Sequence, residues 1–128
     1  MRVEEWIDDL PMIRETLEKI WSKKTAYKPS LKTGLQTKSR GQCYVTALLL
    51  RDIMGAEVVR AKVNEETHYW NRFSGYEFDL TSDQYGGDGY RPVPYDGRKI
   101  TKRQVNLMNK RYRILKDAWN SDVSLQRE

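Results

Sequence analysis

The sequence predicts an α+β fold, and three observations carry the prediction. Apolar residues recur at helical spacing near both ends, at Trp6, Leu10, Ile13 and Leu17 and again at Val105, Met108, Tyr112, Leu115 and Trp119. Between them, the apolar run from Cys43 to Met54 reads as a buried helix. Valine- and aromatic-rich segments separated by turn residues follow it, the pattern of a small antiparallel sheet. With 128 residues, 38% hydrophobic and 32% charged, the chain is sized for a single domain over residues 1–128, with one core and a heavily solvated surface. No repeat, low-complexity tract or Gly/Ser linker marks a boundary within it.

The first element is an amphipathic helix over residues 2–22. Pro11 lacks an N–H and is tolerated in a first turn, so the main helix is expected to begin just before it, with Asp8 or Asp9 as its cap. Residues 23–40 then lose periodicity. Lys23, Lys24, Lys28, Lys32, Lys38 and Arg40 sit among Pro29, Gly34 and hydroxyl residues, as in a solvated loop.

In the helix over 43–54, Cys43, Ala47, Leu50 and Met54 form one stripe, widened by Leu48, Leu49 and Ile53, and Gly55 is placed to end it. Residues 57–63 alternate in part and are rich in valine, as in a strand, and Asn64-Glu65-Glu66 is a turn. Residues 67–73 and 76–81 form a hairpin around Ser74-Gly75. That loop pairs Phe73 with Tyr76, and counting back pairs Trp70 with Asp79 and His68 with Thr81. His68 and Asp79 then share a face as diagonal neighbours roughly 7–8 Å apart. Residues 82–99, with Gly86-Gly87-Asp88-Gly89 and Pro92 and Pro94, are irregular and expected to cover one side of that face. Thr101-x-x-Gln104 reads as a capping box that opens the last helix, whose polar face carries Lys102, Arg103, Lys110, Arg111, Arg113 and Lys116.

Cys43 and His68 are the only cysteine and the only histidine in the chain. A cysteine attacks as its thiolate, and a free thiol with a pKa of about 8.5 offers little of it at neutral pH. A helix N-terminus and a nearby imidazole both favour the anion. An aspartate on the imidazole fixes its tautomer, and the free N–H groups of the first helical turn suit an oxyanion. Cys43, His68 and Asp79 are therefore the candidate catalytic set. Taken singly, each is more readily an ordinary structural residue; their order and common face make the case. One cysteine excludes an internal disulfide and a cysteine-rich zinc site, and the expected site needs neither metal nor cofactor.

These residues carry a resemblance. Gly41-Gln42-Cys43, Ala47 in an apolar helix, Gly55 before a valine strand, His68-Tyr69-Trp70 and Asp79-Leu80-Thr81 resemble the core of the transglutaminase-like, papain-like cysteine enzymes. With Trp70-Asn71 and Asp83-Gln84-Tyr85, the pattern also resembles small uncharacterised bacterial proteins of the YunG type. The resemblance covers about residues 39–85. It implies Cys43 as nucleophile, His68 as general base and acid, and Asp79 as the orienting carboxylate. Gln42 and Gln36 are candidates for the substrate side of the site, the latter near the spacing of a papain-like oxyanion-hole glutamine, and Tyr44 and Trp70 are candidate aromatic walls.

The expected function is a cofactor-independent cysteine enzyme that opens an amide or acyl bond through a thioester. The substrate would be a protein, a peptide or a small amide, and water or an amine would resolve the intermediate. The rival expectation is a non-catalytic binding domain. The net charge of +5 suits an acidic partner, nucleic acid included, held on the basic C-terminal helix. The start of the chain has no apolar leader and no run approaches membrane-spanning length, which predicts a cytoplasmic protein with no membrane partner.

Overall fold

The apolar spacing of the N-terminal segment closes into one continuous helix in the computed structural model, which describes residues 3–95, 98–99 and 105–126. This helix, α1 (Val3–Ile20), runs through Pro11 instead of beginning just before it, so Asp8 and Asp9 lie inside the helix and do not cap it. Two conditions make that tolerable. Pro11 is exposed, and the carbonyl that loses its donor belongs to the partly exposed Ile7, where solvent can serve it. The anchors Leu10, Ile13 and Leu17 are all buried, with Trp21 just beyond the helix end. The side chain of Trp6 lies outside the described part.

A 3-10 turn at Lys28–Lys32 interrupts the lysine-rich loop. The central helix α2 (Cys43–Met54) ends at Gly55, which takes the left-handed conformation at φ 75°. Strands β1 (Glu57–Val63), β2 (Glu66–Phe73) and β3 (Tyr76–Phe78) form an antiparallel meander. A two-residue β4 (Arg98–Lys99) adds on the far side of β1, giving the order β3-β2-β1-β4. The architecture is α+β. Helix α3 (Lys110–Gln126) completes it.

Both faces of the sheet are covered, which explains why the adjacent Val58 and Val59 of β1 are both buried. Val58 packs with Ala47 of α2 on one face, while Val59 and Ala61 join Trp70 and Tyr95 on the other. Asn71 ties α2 to the sheet by donating from Nδ2 to the Ala47 and Glu57 carbonyls at 3.1 and 3.3 Å. Beyond α2, the stripes of α1 and α3 close the main core, with Leu17, Leu48, Leu49, Leu50 and Leu115 among its buried members.

Three expectations need correction. The hairpin register is as read, with Phe73 opposite Tyr76, but its ladder stops at Asn71 opposite Phe78. Asp79 leaves the strand, its N–H going to the Tyr90 carbonyl at 2.9 Å. The residues expected to be irregular supply β4. The last helix starts at Lys110, because Asn106 and Asn109 spend their side chains on local turns. Asn106 Oδ1 accepts from the Met108 N–H, and Asn109 Oδ1 caps the helix by accepting from the Tyr112 N–H, both at 3.0 Å. Met108, expected in the apolar stripe, is therefore 72% exposed. Thr101, Lys102, Arg103 and Gln104 lie outside the described residues.

Candidate active site

Cys43 stands at the first position of α2, and the residues before it account for its placement. Gly41 takes φ 78°, and a Cβ there would lie 3.1 Å from the Tyr27 carbonyl oxygen, so the chain turns where only glycine fits comfortably. The Tyr27 N–H donates to the Gly41 carbonyl at 2.9 Å. Gln42 is buried and faces inward: Oε1 accepts from Thr25 Oγ1 at 2.7 Å, and Nε2 donates to the Ser22 carbonyl at 3.0 Å. Gln42 therefore pins the helix start from behind. Its side chain does not cap the helix, which leaves first-turn N–H groups of α2 open beside the half-buried Cys43 thiol.

His68 is wholly buried opposite Ala61 of β1. Its Nε2 lies 2.6 Å from Asp79 Oδ2. The contact survives the early end of β3 because Asp79 is held by its own turn, in which Oδ1 accepts the Thr81 N–H at 3.0 Å and the Thr81 hydroxyl at 3.2 Å. The other ring nitrogen, Nδ1, is buried with no hydrogen-bond partner among the described residues. Burial alone would lower the His68 pKa. The Asp79 carboxylate, aided by the Cys43 thiol, outweighs burial and lifts it from 6.5 to about 9. The imidazole is therefore cationic at neutral pH. Its two influences are Asp79 at Nε2 and Cys43 close enough to act on the ring.

An aromatic box isolates this pair from water. Trp70 stacks on His68 at 5.7 Å between centroids, and Tyr85 and Tyr95 meet it edge-on at 4.8 and 4.9 Å. Tyr95 comes from the irregular segment after β3, which thus lies over the histidine. Trp70, read as a wall of the substrate side, is buried behind the ring instead, with Nε1 donating to Glu77 Oε1 at 2.7 Å.

Cys43 opens into a cleft of about 480 Å³. Tyr44 and Tyr69 line one wall with their rings 4.7 Å apart, and Tyr27, Tyr85, Lys62 and Arg111 line much of the rest. His68 and Asp79 sit behind it, so the cysteine is what meets the cleft. Of the residues read as substrate-contacting, Tyr44 is here. Gln36 is not: it lies in the exposed loop, donating to the Thr33 and Gly34 carbonyls.

The sequence reading missed a buried polar strut beneath the site. Arg40, grouped with the loop lysines, is almost fully buried. It donates to Glu66 at 2.6 Å, to Gln84 Oε1 at 3.0 Å and to the Ser30 and Thr33 carbonyls. Gln84 Nε2 donates in turn to the Thr81 hydroxyl at 3.1 Å. Hydrogen bonds thus run from the Asp79 carboxylate through Thr81 and Gln84 to Arg40, three residues before Cys43. Tyr85 donates to Glu66 at 2.7 Å. The Arg40 guanidinium and this phenol hold the Glu66 carboxyl below its usual pKa although burial raises it. Nearby, Arg14 grips Asp83 with two bonds of 3.0 and 2.9 Å, and Ser39 adds a third. The spacing Asp79-x-Thr81-x-x-Gln84, a turn-forming carboxylate followed by an amide one helical turn on, was the available signal.

Comparison with known proteins gives three findings. The family described as YunG protein matches residues 9–124. A protein of Bacillus subtilis (strain 168) described as uncharacterized protein YunG is 27% identical over 114 residues, 88% of this chain and 92% of that protein. No solved structure matches.

Proposed function

The chain belongs to the YunG family, and we propose that it is a cofactor-independent cysteine enzyme acting on an amide or related acyl bond. One observation carries the reading: a buried His68 is bonded to Asp79 through Nε2 and keeps Nδ1 unpaired, with Cys43 beside it at a helix start that opens on a cleft. The order of elements, nucleophile helix first, then an antiparallel strand bearing the histidine and a turn after the next strand bearing the aspartate, is why we assign a transglutaminase-like core.

In this mechanism the Cys43 thiolate bonds to the carbonyl carbon, and first-turn N–H groups of α2 hold the oxyanion. Collapse expels the amine, which takes its proton from the imidazolium of His68, and leaves a thioester on Cys43. Water then attacks, giving its proton to His68. The thiolate departs, and the carboxylic acid is released. Asp79 keeps the ring oriented in both steps. An amine in place of water would make the reaction an acyl transfer. We favour hydrolysis, since water is always present.

The alternative, a binding domain that holds an acidic partner on α3, has less behind it. Arg111 donates to the Thr25 carbonyl at 3.2 Å and Lys116 pairs with Asp52 at 3.3 Å, so both are engaged within the fold. Among the described helix residues, Lys110 and Arg113 remain as its exposed cations.

The test is to mix the protein with p-nitrophenyl acetate and follow intact mass and released nitrophenolate together. We expect one acetyl group on Cys43 per chain, formed in a burst. The rate should fall roughly 100-fold or more in His68→Ala, with native circular dichroism retained. A chain that takes up no acetyl group, or a His68→Ala protein that acylates equally fast, would overturn the reading.

A further inference from the structure

The charges around the Cys43 cleft do not cancel where a substrate would sit. Glu66 is already neutralised by Arg40 at 2.6 Å and bonded by Tyr85. Lys62 and Arg111, which reach the cleft from β1 and α3, have no carboxylate partner among the described residues. Among the described lining residues Glu65 is the one remaining opposing charge, and it sits exposed in the β1–β2 turn, at the rim.

Arg111 is also held in place. Its Nη1 donates to the Thr25 carbonyl at 3.2 Å, and its guanidinium lies 5.7 Å from the centre of the Tyr27 ring. A guanidinium has five N–H donors in a planar fork, and a single backbone bond leaves most of them free. A fork fixed by a ring and a carbonyl has lost its side-chain freedom before a ligand arrives, so it gives up less on binding. The natural complement of a preorganised fork is a planar, bidentate carboxylate. The first turn of α2, uncapped by a side chain, adds positive potential at the same place.

We propose that the substrate of this site is an acyl compound bearing a carboxylate near the scissile bond, recognised by Arg111 with Lys62 contributing to the field. A small amide with a free carboxylate, or a peptide bond next to an acidic residue or a chain end, has this chemistry. The inference rests on the cysteine-enzyme reading above, because it takes Cys43 as the reacting atom.

Two alkylating reagents of nearly equal shape test it on the single thiol. Iodoacetate carries the carboxylate, and iodoacetamide is its neutral counterpart. The ratio of their rates on Cys43, measured by intact mass at low salt, should exceed that of a cysteine peptide. It should fall about five- to tenfold in Arg111→Gln and by a smaller factor in Lys62→Gln, and it should rise in Glu65→Gln. In the unmodified protein, 0.5 M KCl should also depress the ratio, a control that needs no variant to fold. A ratio like that of the free peptide, insensitive to salt and to these changes, overturns the carboxylate assignment while leaving the cysteine chemistry standing. A Cys43 inert to both reagents overturns both.

Discussion

His68 gains more from Asp79 and Cys43 than it loses by being buried, and this sign governs how the site responds to pH. A histidine whose pKa rises on folding, here from 6.5 to about 9, stabilises the fold fully below the unfolded value. That contribution is lost as pH rises through the folded one. Unfolding by urea of Cys43→Ser, where no thiol titrates against the imidazole, should therefore show stability declining from pH 6.5 upward, by up to about 3 kcal/mol at 1.36 kcal/mol per pKa unit. The decline should be absent when His68→Gln is added. A flat profile in Cys43→Ser would mean that His68 is neutral in the fold. A single cysteine and a single histidine, in order with an aspartate on one hairpin face, are what singled out Cys43, His68 and Asp79 in the sequence. The same reasoning misplaced Gln42, Gln36 and Trp70. Whether a glutamine or tryptophan faces a cleft or the core depends on partners far away in sequence, such as Ser22 and Thr25 for Gln42, and composition does not encode those.

Among the elements, those with strong local signals were legible to within a residue. The helix from Cys43 to Met54, the strand from Glu57 to Val63 and the turn at Ser74-Gly75 all stand where the pattern put them. Elements set by competition were not. Helix α1 does not begin beside Pro11 but runs through it, since the buried Leu10 and Ile13 on its two sides outweigh one lost hydrogen bond. The asparagines 106 and 109 delayed α3, and β4 exists only because β1 offers it an edge. The loop into α2 is the element that places Cys43, and Gly41 is its tightest point. Gly41→Ala should cost about 1–2 kcal/mol for the left-handed conformation alone, with more from the approach to the Tyr27 backbone. Urea unfolding would measure the loss. A variant as stable as the parent would show that this loop relaxes without strain.

At the scale of the whole molecule, two polar systems hold the helix start and the sheet in one frame. Arg14 joins α1 to Asp83, and Arg40 joins the loop before Cys43 to Glu66 on β2 and to Gln84. The segment Ser82–Tyr85 receives both, and Asp79 sits just ahead of it. Cys43, His68 and Asp79 thus come from a helix start, a strand and a turn that these two systems keep in register. Such long-range pairs, separated by 26 to 69 positions, were invisible to spacing arguments that see only neighbours along the chain. No described helix is long and apolar enough to cross a membrane.

The central claim is that Cys43 and His68 act as one ionised pair. Its most direct test is the rate of Cys43 alkylation by iodoacetamide against pH, in the native protein and in His68→Gln, read by intact mass. The account predicts that at neutral pH the native thiol reacts faster than that of the variant, with the difference closing at alkaline pH. Identical curves for the two proteins, or a thiol that does not react in either, would contradict it.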